Sequence, residues 1–272
     1  MKKIIITVTL LVGLTASYFL LLRPHSSLPE HLLSKLPAKY GRIAASKSSS
    51  YLITDVSVIP MSRDTILAHQ NVLIKRGHIH QITPLLDRID TSTHPVRING
   101  QGQYLIPGLN DMHVYINDEN NLLLFVANGV TTVRNMAGAP FDLILRQQSR
   151  DGQILSPTLY TASPILEGSD NVWKFSVVLK NKQEARQAVL TYKQAGYDFI
   201  KVYHTLPADV YREILRVSDS LAVPVVGHIP FQLDLPQTLA LSQYSLEHVD
   251  LRPISPQIPL FKKLAMVGQS KK

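Results

Sequence analysis

With 272 residues, 45% hydrophobic and 18% charged, and a mean hydropathy of +0.04, the chain is too apolar for a disordered protein and too polar for a polytopic membrane protein. Zero cysteine excludes disulfides and thiolate-based metal or redox sites. The net charge of +8 is carried by residues 1–50 (seven basic, one acidic) and by four lysines in 261–272, whereas 51–260 hold 17 basic and 19 acidic residues, so a basic nucleic-acid-binding face is excluded.

Lys2 and Lys3 precede an uncharged run from Ile4 to Leu22, closed by Arg23-Pro24. These nineteen residues would span roughly 28 Å as a helix, about the thickness of a hydrocarbon core. The run is longer than a typical signal-peptide core, and its one small-residue exit, Thr15-Ala16-Ser17, is followed by more apolar sequence. Residues 1–23 therefore read as a membrane anchor or signal segment, with an uncleaved anchor favoured. The two lysines would stay cytoplasmic and place the rest of the chain outside the cytoplasm. Residues 24–50, with three prolines and the serine-rich stretch 46–50, read as a tether.

The ordered part is expected from Tyr51. Tyr51–Ile59 and Asn71–Ile82 alternate or run apolar with β-branched residues, and Arg76-Gly77 marks a hairpin turn. Val96–Ile98 is a further short strand before Asn99-Gly100. After Gln103 strands alternate with helices. Strands are expected at 104–106, running into a loop with His113, then at 130–134, 157–162, 198–203, 223–228 and 244–248. Asn181 with Glu184 starts a helix that Gly196 ends, and Pro207 opens a second that stops before Pro224. Helices alternating with buried strands imply a parallel sheet, open or closed, with its chemistry at the C-terminal strand ends.

Polar residues gather at those ends. Ile106-Pro-Gly-Leu-Asn-Asp-Met-His113 closes the first strand, Asp198-Phe-Ile-Lys201-Val-Tyr203 the fourth, Val225-Val-Gly-His228 the fifth and Ser245-Leu-Glu-His248 the sixth. A lysine at a buried strand end needs a partner, because burying its charge is costly. His78-Ile79-His80 sits in the expected hairpin and reads as two solvent-facing histidines. His204, beside Tyr203, would line the same mouth. There is no Gly-rich phosphate loop and no Ser-His-Asp pattern.

These segments, together with Gly129-Val-Thr-Thr-Val-Arg134, resemble the metal-dependent amidohydrolase superfamily, in particular its imidazolonepropionase-like and Xaa-Pro-dipeptidase-like branch, over residues 51 to about 250. The resemblance implies an α/β protein with a (β/α)8 TIM-type barrel at 104–250 and a β-sandwich portion at 51–103. It also implies a divalent metal such as zinc, a small-molecule amide or peptide substrate, and hydrolysis of C–N bonds. His113 would be a ligand of a first metal, a carboxylated Lys201 would bridge to a second, and His228 and His248 would complete the second site. Tyr203 would contact substrate. Three protein ligands with an open position suit catalytic zinc, and Lys201, His228 and His248 meet that count.

Two departures stand out. The H-x-H pair expected of the first strand is His113-Val114-Tyr115, and alternation puts Tyr115 on the face where the second imidazole belongs. A phenol with a pKa near 10 is a poor ligand at neutral pH. From Gln103 to Lys272 there are 170 residues, against about 250 for a full barrel, which leaves room for about six strands and implies a C-terminally truncated member. Residues 251–272 read as an irregular basic tail. Three readings follow: a hydrolase weakened or inactivated by truncation, a non-catalytic remnant holding at most one metal, and a hydrolase completed by a second chain.

Overall fold

The computed structural model describes residues 50–168, 173 and 175–248. The expected anchor, tether and basic tail lie outside the described residues. Among the described residues no helix is long and apolar enough to cross a membrane.

The first sheet follows the sequence pattern closely. Strands β1 (Ser50–Val58) and β2 (Leu67–Lys75) pair antiparallel, and β2 continues through Arg76-Gly77 into β3 (His78–Pro84). Both turn residues have positive φ, 50° and 77°, the backbone twist that a two-residue hairpin requires. His78 and His80 are exposed on β3, as expected of hairpin residues. His69 lies in β2, with its Nδ1 2.8 Å from Asp55 Oδ1. Strands β4 (Val96–Asn99) and β5 (Tyr104–Leu105) both run parallel to β1, near its two ends. Val56, Val58 and Val72 form a small buried cluster, with Leu67 and Leu105 packed against it. The described residues supply one five-stranded layer here, not two.

Beyond β5 the chain starts a new sheet. The stretch expected as one strand from 104 into a loop at His113 is divided, and His113 lies inside a strand, β6 (Leu109–Val114). Pro107 lacks an N–H for either ladder. At Gly108 a Cβ would lie 2.0 Å from Thr131 Oγ1, so glycine permits the close crossing there. Then follow α1 (Glu119–Ala127), β7 (Val130–Asn135), α2 (Pro140–Arg150), β8 (Thr158–Thr161), β9 (Leu166–Glu167) and β10 (Val177–Val178). The last part contains α3 (Lys182–Ala195), β11 (Ile200–Val202), α4 (Ala208–Ser220), β12 (Val225–Gly227), α5 (Leu235–Leu239) and β13 (Ser245–Leu246).

All these strands pair in parallel, in the orders β6-β7-β8 and β10-β9-β11-β12-β13, and a parallel bridge between Ala162 and Phe199 connects the two sheets. The protein is thus α/β, with one mixed sheet and two parallel ones. Helix α3 starts as expected: Asn181 Oδ1 accepts from Glu184 N at 2.9 Å, and Gly196, at φ 90°, ends it. Pro207 sits at the N-cap of α4, one residue before its first turn. On α4, Val210, Tyr211, Ile214, Leu215 and Val217 are buried at helical spacing, against β11, β12 and α3 residues including Val189, Ile200, Val202 and Val225. A second cluster, Val114, Leu122, Val133, Leu145 and Leu159, packs α1 and α2 onto β6–β8.

Two acids in this region, one half-buried and one buried, behave differently. Asp198 Oδ2 accepts from Arg146 Nη1 at 2.5 Å and from Thr161 N at 2.9 Å, joining α2 and β8 to the entry of β11. Asp142, 2% exposed, accepts from Ala139 N at 2.7 Å through one oxygen, while the other has no hydrogen-bond partner among the described residues. Burial pushes its carboxyl up to about 6, against the Ala139 and Asn135 hydrogen bonds that pull it down. The native state therefore holds a proton over the window from about pH 4 to 6 that the unfolded chain has released, so this residue's contribution falls as pH rises through that window. The shift corresponds to about 3 kcal/mol lost by pH 7. Urea unfolding of wild type and Asp142→Asn at pH 4, 5, 6 and 7 should show the variant gaining relative stability with pH; a pH-independent difference would refute the assignment.

Candidate functional site

The site lies where β6, β7, β11, β12 and β13 end. In pairing order β6 and β13 stand at opposite ends of the linked sheets. The sheet nevertheless curls far enough for the two to meet through side chains. His113 Nδ1 on β6 is 2.7 Å from Oε2 of Glu247, just after β13. Arg134, the penultimate residue of β7, ties the same elements together. Its Nε donates to Met112 O at 2.8 Å, Nη1 to Ser245 Oγ at 3.2 Å and Nη2 to Glu247 Oε1 at 2.6 Å. Ser245 Oγ donates to the same carboxylate oxygen at 2.5 Å. Burial pushes the Glu247 carboxyl up, but the Ser245 and His113 hydrogen bonds and the Arg134 charge outweigh it and leave it below the ordinary range. Arg134 and Glu247 are both buried, and neither had a role assigned from sequence.

Lys201 occupies the middle of β11, not its end, with both flanking residues buried. It is itself 0% exposed, and its Nζ has no hydrogen-bond partner among the described residues. Among the described residues the hydrogen bond that a buried lysine demands is therefore missing. Burial, aided by the nearby Arg134 and opposed by Glu247, pushes its amine down to about 8. His228 follows β12 directly, delivered by Gly227 at φ 131°, where a Cβ would lie 2.1 Å from Val202 O. Burial first, then Lys201 and the crowding of neighbouring histidines, push His228 down to about 3, so it is a neutral imidazole.

His248, at φ 58°, is two residues past β13. Its ring centroid lies 4.5 Å from that of His113 and 5.2 Å from that of His228. Tyr203 is 9% exposed, with its ring 4.5 Å from His228 and 4.0 Å from His204. His204 in turn packs on Phe231 at 4.2 Å. The structure thus brings His113, His228 and His248 into one ring-contact chain, with Tyr203 against His228. Among the described residues, no group of three or more His, Asp or Glu side chains is arranged to hold a metal ion. A cleft of about 660 Å³ lies at the other end of β12, lined by Leu215, Val223, Val225, Leu241 and Tyr244 among others, and includes none of these site residues.

Tyr115 stands where alternation placed it. Its Oη is 3.2 Å from His113 Nε2, and the rings meet edge to face at 5.5 Å. Burial, with Tyr203 and Glu247 nearby, raises its phenol further above the usual value. Burial also lowers His113 despite the Glu247 hydrogen bond, keeping that ring neutral.

No family model matches the sequence, and no curated protein is similar to it. Solved structures do match. A bottromycin amidohydrolase superposes with a TM-score of 0.70 at 20% identity, over 89% of this chain and 54% of its own. A prolidase candidate from Bifidobacterium longum gives 0.61 at 21% identity, over 72% and 52%. A Xaa-Pro dipeptidase with methionine bound in its active site gives 0.57 at 16% identity, over 66% and 57%. These neighbours are amidohydrolase-superfamily proteins, in agreement with the resemblance carried by the sequence segments, and the chain shares the fold of the part that it covers. The chain spans a little over half the length of these neighbours.

Proposed function

We propose that the chain is a metal-dependent hydrolase of C–N bonds acting on a small amide or peptide. Its parallel strands would be part of a (β/α)8 barrel, and its first sheet one layer of a β-sandwich. The observation that carries this reading is the Lys201 amine, wholly buried without a hydrogen-bond partner among the described residues, with His228 and His248 just past the ends of the next two strands. Carboxylation would convert that orphaned amine into an anionic oxygen ligand. Lys201, His228 and His248 are then the residues that would hold a divalent metal, zinc by donor type.

A bound metal of this kind supplies a Lewis acid that makes hydroxide available at neutral pH and polarises the carbonyl under attack. The chain's own groups do the rest. Tyr203 packs over His228 and shields that side of the site from water, leaving its ring against the substrate. The Arg134–Glu247 pair keeps β6, β7 and β13 in register around the site. The prolidase and Xaa-Pro dipeptidase among the neighbours support dipeptides as the substrate class. Lys2 and Lys3, ahead of the apolar run 4–22, support a tethered, extracytoplasmic placement.

The full chain, loaded with zinc, is expected to hydrolyse members of a panel of Xaa-Pro and N-acyl dipeptides. Chelation should abolish the activity and zinc restore it. Folded, zinc-loaded protein that cleaves no member of the panel would sink the reading.

A further inference from the structure

His113 is where the expected ligand set and the geometry part. A carboxylate can only accept, so the His113 nitrogen facing Glu247 Oε2 at 2.7 Å, Nδ1, carries the ring proton. The single lone pair of the neutral ring is then on Nε2, and it faces Tyr115 Oη at 3.2 Å, from which it accepts the phenolic proton. A carboxylate behind a histidine also suits a metal ligand, so the Glu247 contact alone would not decide the matter. Tyr115 decides it. It follows β6 at the position from which a second imidazole would reach, and its Oη, 3.2 Å from Nε2, meets the lone pair that a metal would need. Any ion held by His113 would lack a companion from the same strand. The ring cannot swing away without unpinning Glu247, which Arg134 and Ser245 hold at 2.6 and 2.5 Å.

We infer, resting on the hydrolase reading above, that His113 stands outside the metal set and that the full chain binds one divalent metal, at Lys201, His228 and His248. Glu247, Arg134 and Tyr115 are positioning residues that grip the His113 ring by both nitrogens. So held, the ring buttresses His248, whose centroid lies 4.5 Å away.

Zinc content after equilibration of the full chain tests this. Wild type should take up one zinc per chain. His113→Gln, which keeps a donor toward Glu247 and an acceptor toward Tyr115, should also take up one, with affinity about 10–100-fold weaker as for loss of an outer-shell group. His228→Ala should take up none. Two zinc ions in wild type, or none in His113→Gln at saturating zinc, would overturn the inference alone. A wild-type chain that binds no zinc would overturn both the inference and the hydrolase reading. Imidazole ¹⁵N spectra of wild type provide a readout independent of variant folding. Zinc should shift a ring nitrogen of His228 and His248 and leave His113 with Nδ1 protonated and Nε2 hydrogen-bonded; a coordination shift at His113 Nε2 would refute the assignment.

Discussion

Replacing Arg134 by alanine is expected to cost about 3–5 kcal/mol of stability, the range for breaking a buried ion pair by removing one partner. Arg134 and Glu247 side chains are 5% and 8% exposed, so solvent cannot take over the lost contacts. The change strands the Glu247 carboxylate and also leaves Met112 O and Ser245 Oγ without their guanidinium donor. Arg134 touches both β6 and the end of β13, which no backbone hydrogen bond joins, so its loss should loosen the approach of those strands. Against a total stability of about 5–15 kcal/mol for a typical domain, this is a large fraction. Denaturant unfolding of Arg134→Ala, Glu247→Gln and the double variant would measure it. The double variant should be less destabilised than the sum of the singles, because a neutral amide no longer needs the cation. A cost below about 1 kcal/mol for Arg134→Ala, as for an exposed pair, would contradict the buried clamp.

Lys201→Met should produce effects of opposite sign in two measurements. In chelated, metal-free protein the variant should be more stable by about 1–3 kcal/mol, because a buried polar group without a hydrogen bond is replaced by an apolar chain of similar length. In zinc-loaded protein the variant should retain no metal, because the thioether cannot be carboxylated. Thermal unfolding with and without chelator, combined with zinc content, separates the two. A variant less stable than wild type in chelator would show that the Lys201 amine has a partner, and the metal reading would lose the observation that carries it.

Much of the fold was legible because its signals are local. The Asn181–Glu184 helix start, the Gly196 stop and the Arg76-Gly77 hairpin depend on residues within a few positions of one another, and each forms as the pattern implies. The boundary at 104–109 was not legible. Leu105-Ile-Pro-Gly-Leu109 reads as one apolar run, and only the pairing of Tyr104–Leu105 with β1 and of Leu109 with β7 divides it between two sheets. Within the site, His228, His248 and Tyr203 stood out as polar residues closing apolar strands, and Lys201 as a charge expected at a strand end that the structure puts in the middle of one. Glu247 and Arg134 lay inside the same segments. Their one signal was a charge closing a β-branched or apolar run, which does not say what the charge faces.

The sequence by itself determined the alternation of strands and helices, the strand ends at which polar side chains gather and the presence of Tyr115 where an imidazole would be expected, because periodicity and turn chemistry are properties of short segments. Only the tertiary structure decided what those side chains meet. His113 and Glu247 are 134 residues apart in the chain and touch only because the linked parallel sheets curl. Among the described residues the same curl leaves the Lys201 amine buried without a hydrogen bond while it gives His113 two, and that difference follows from where β6, β11 and β13 lie in space.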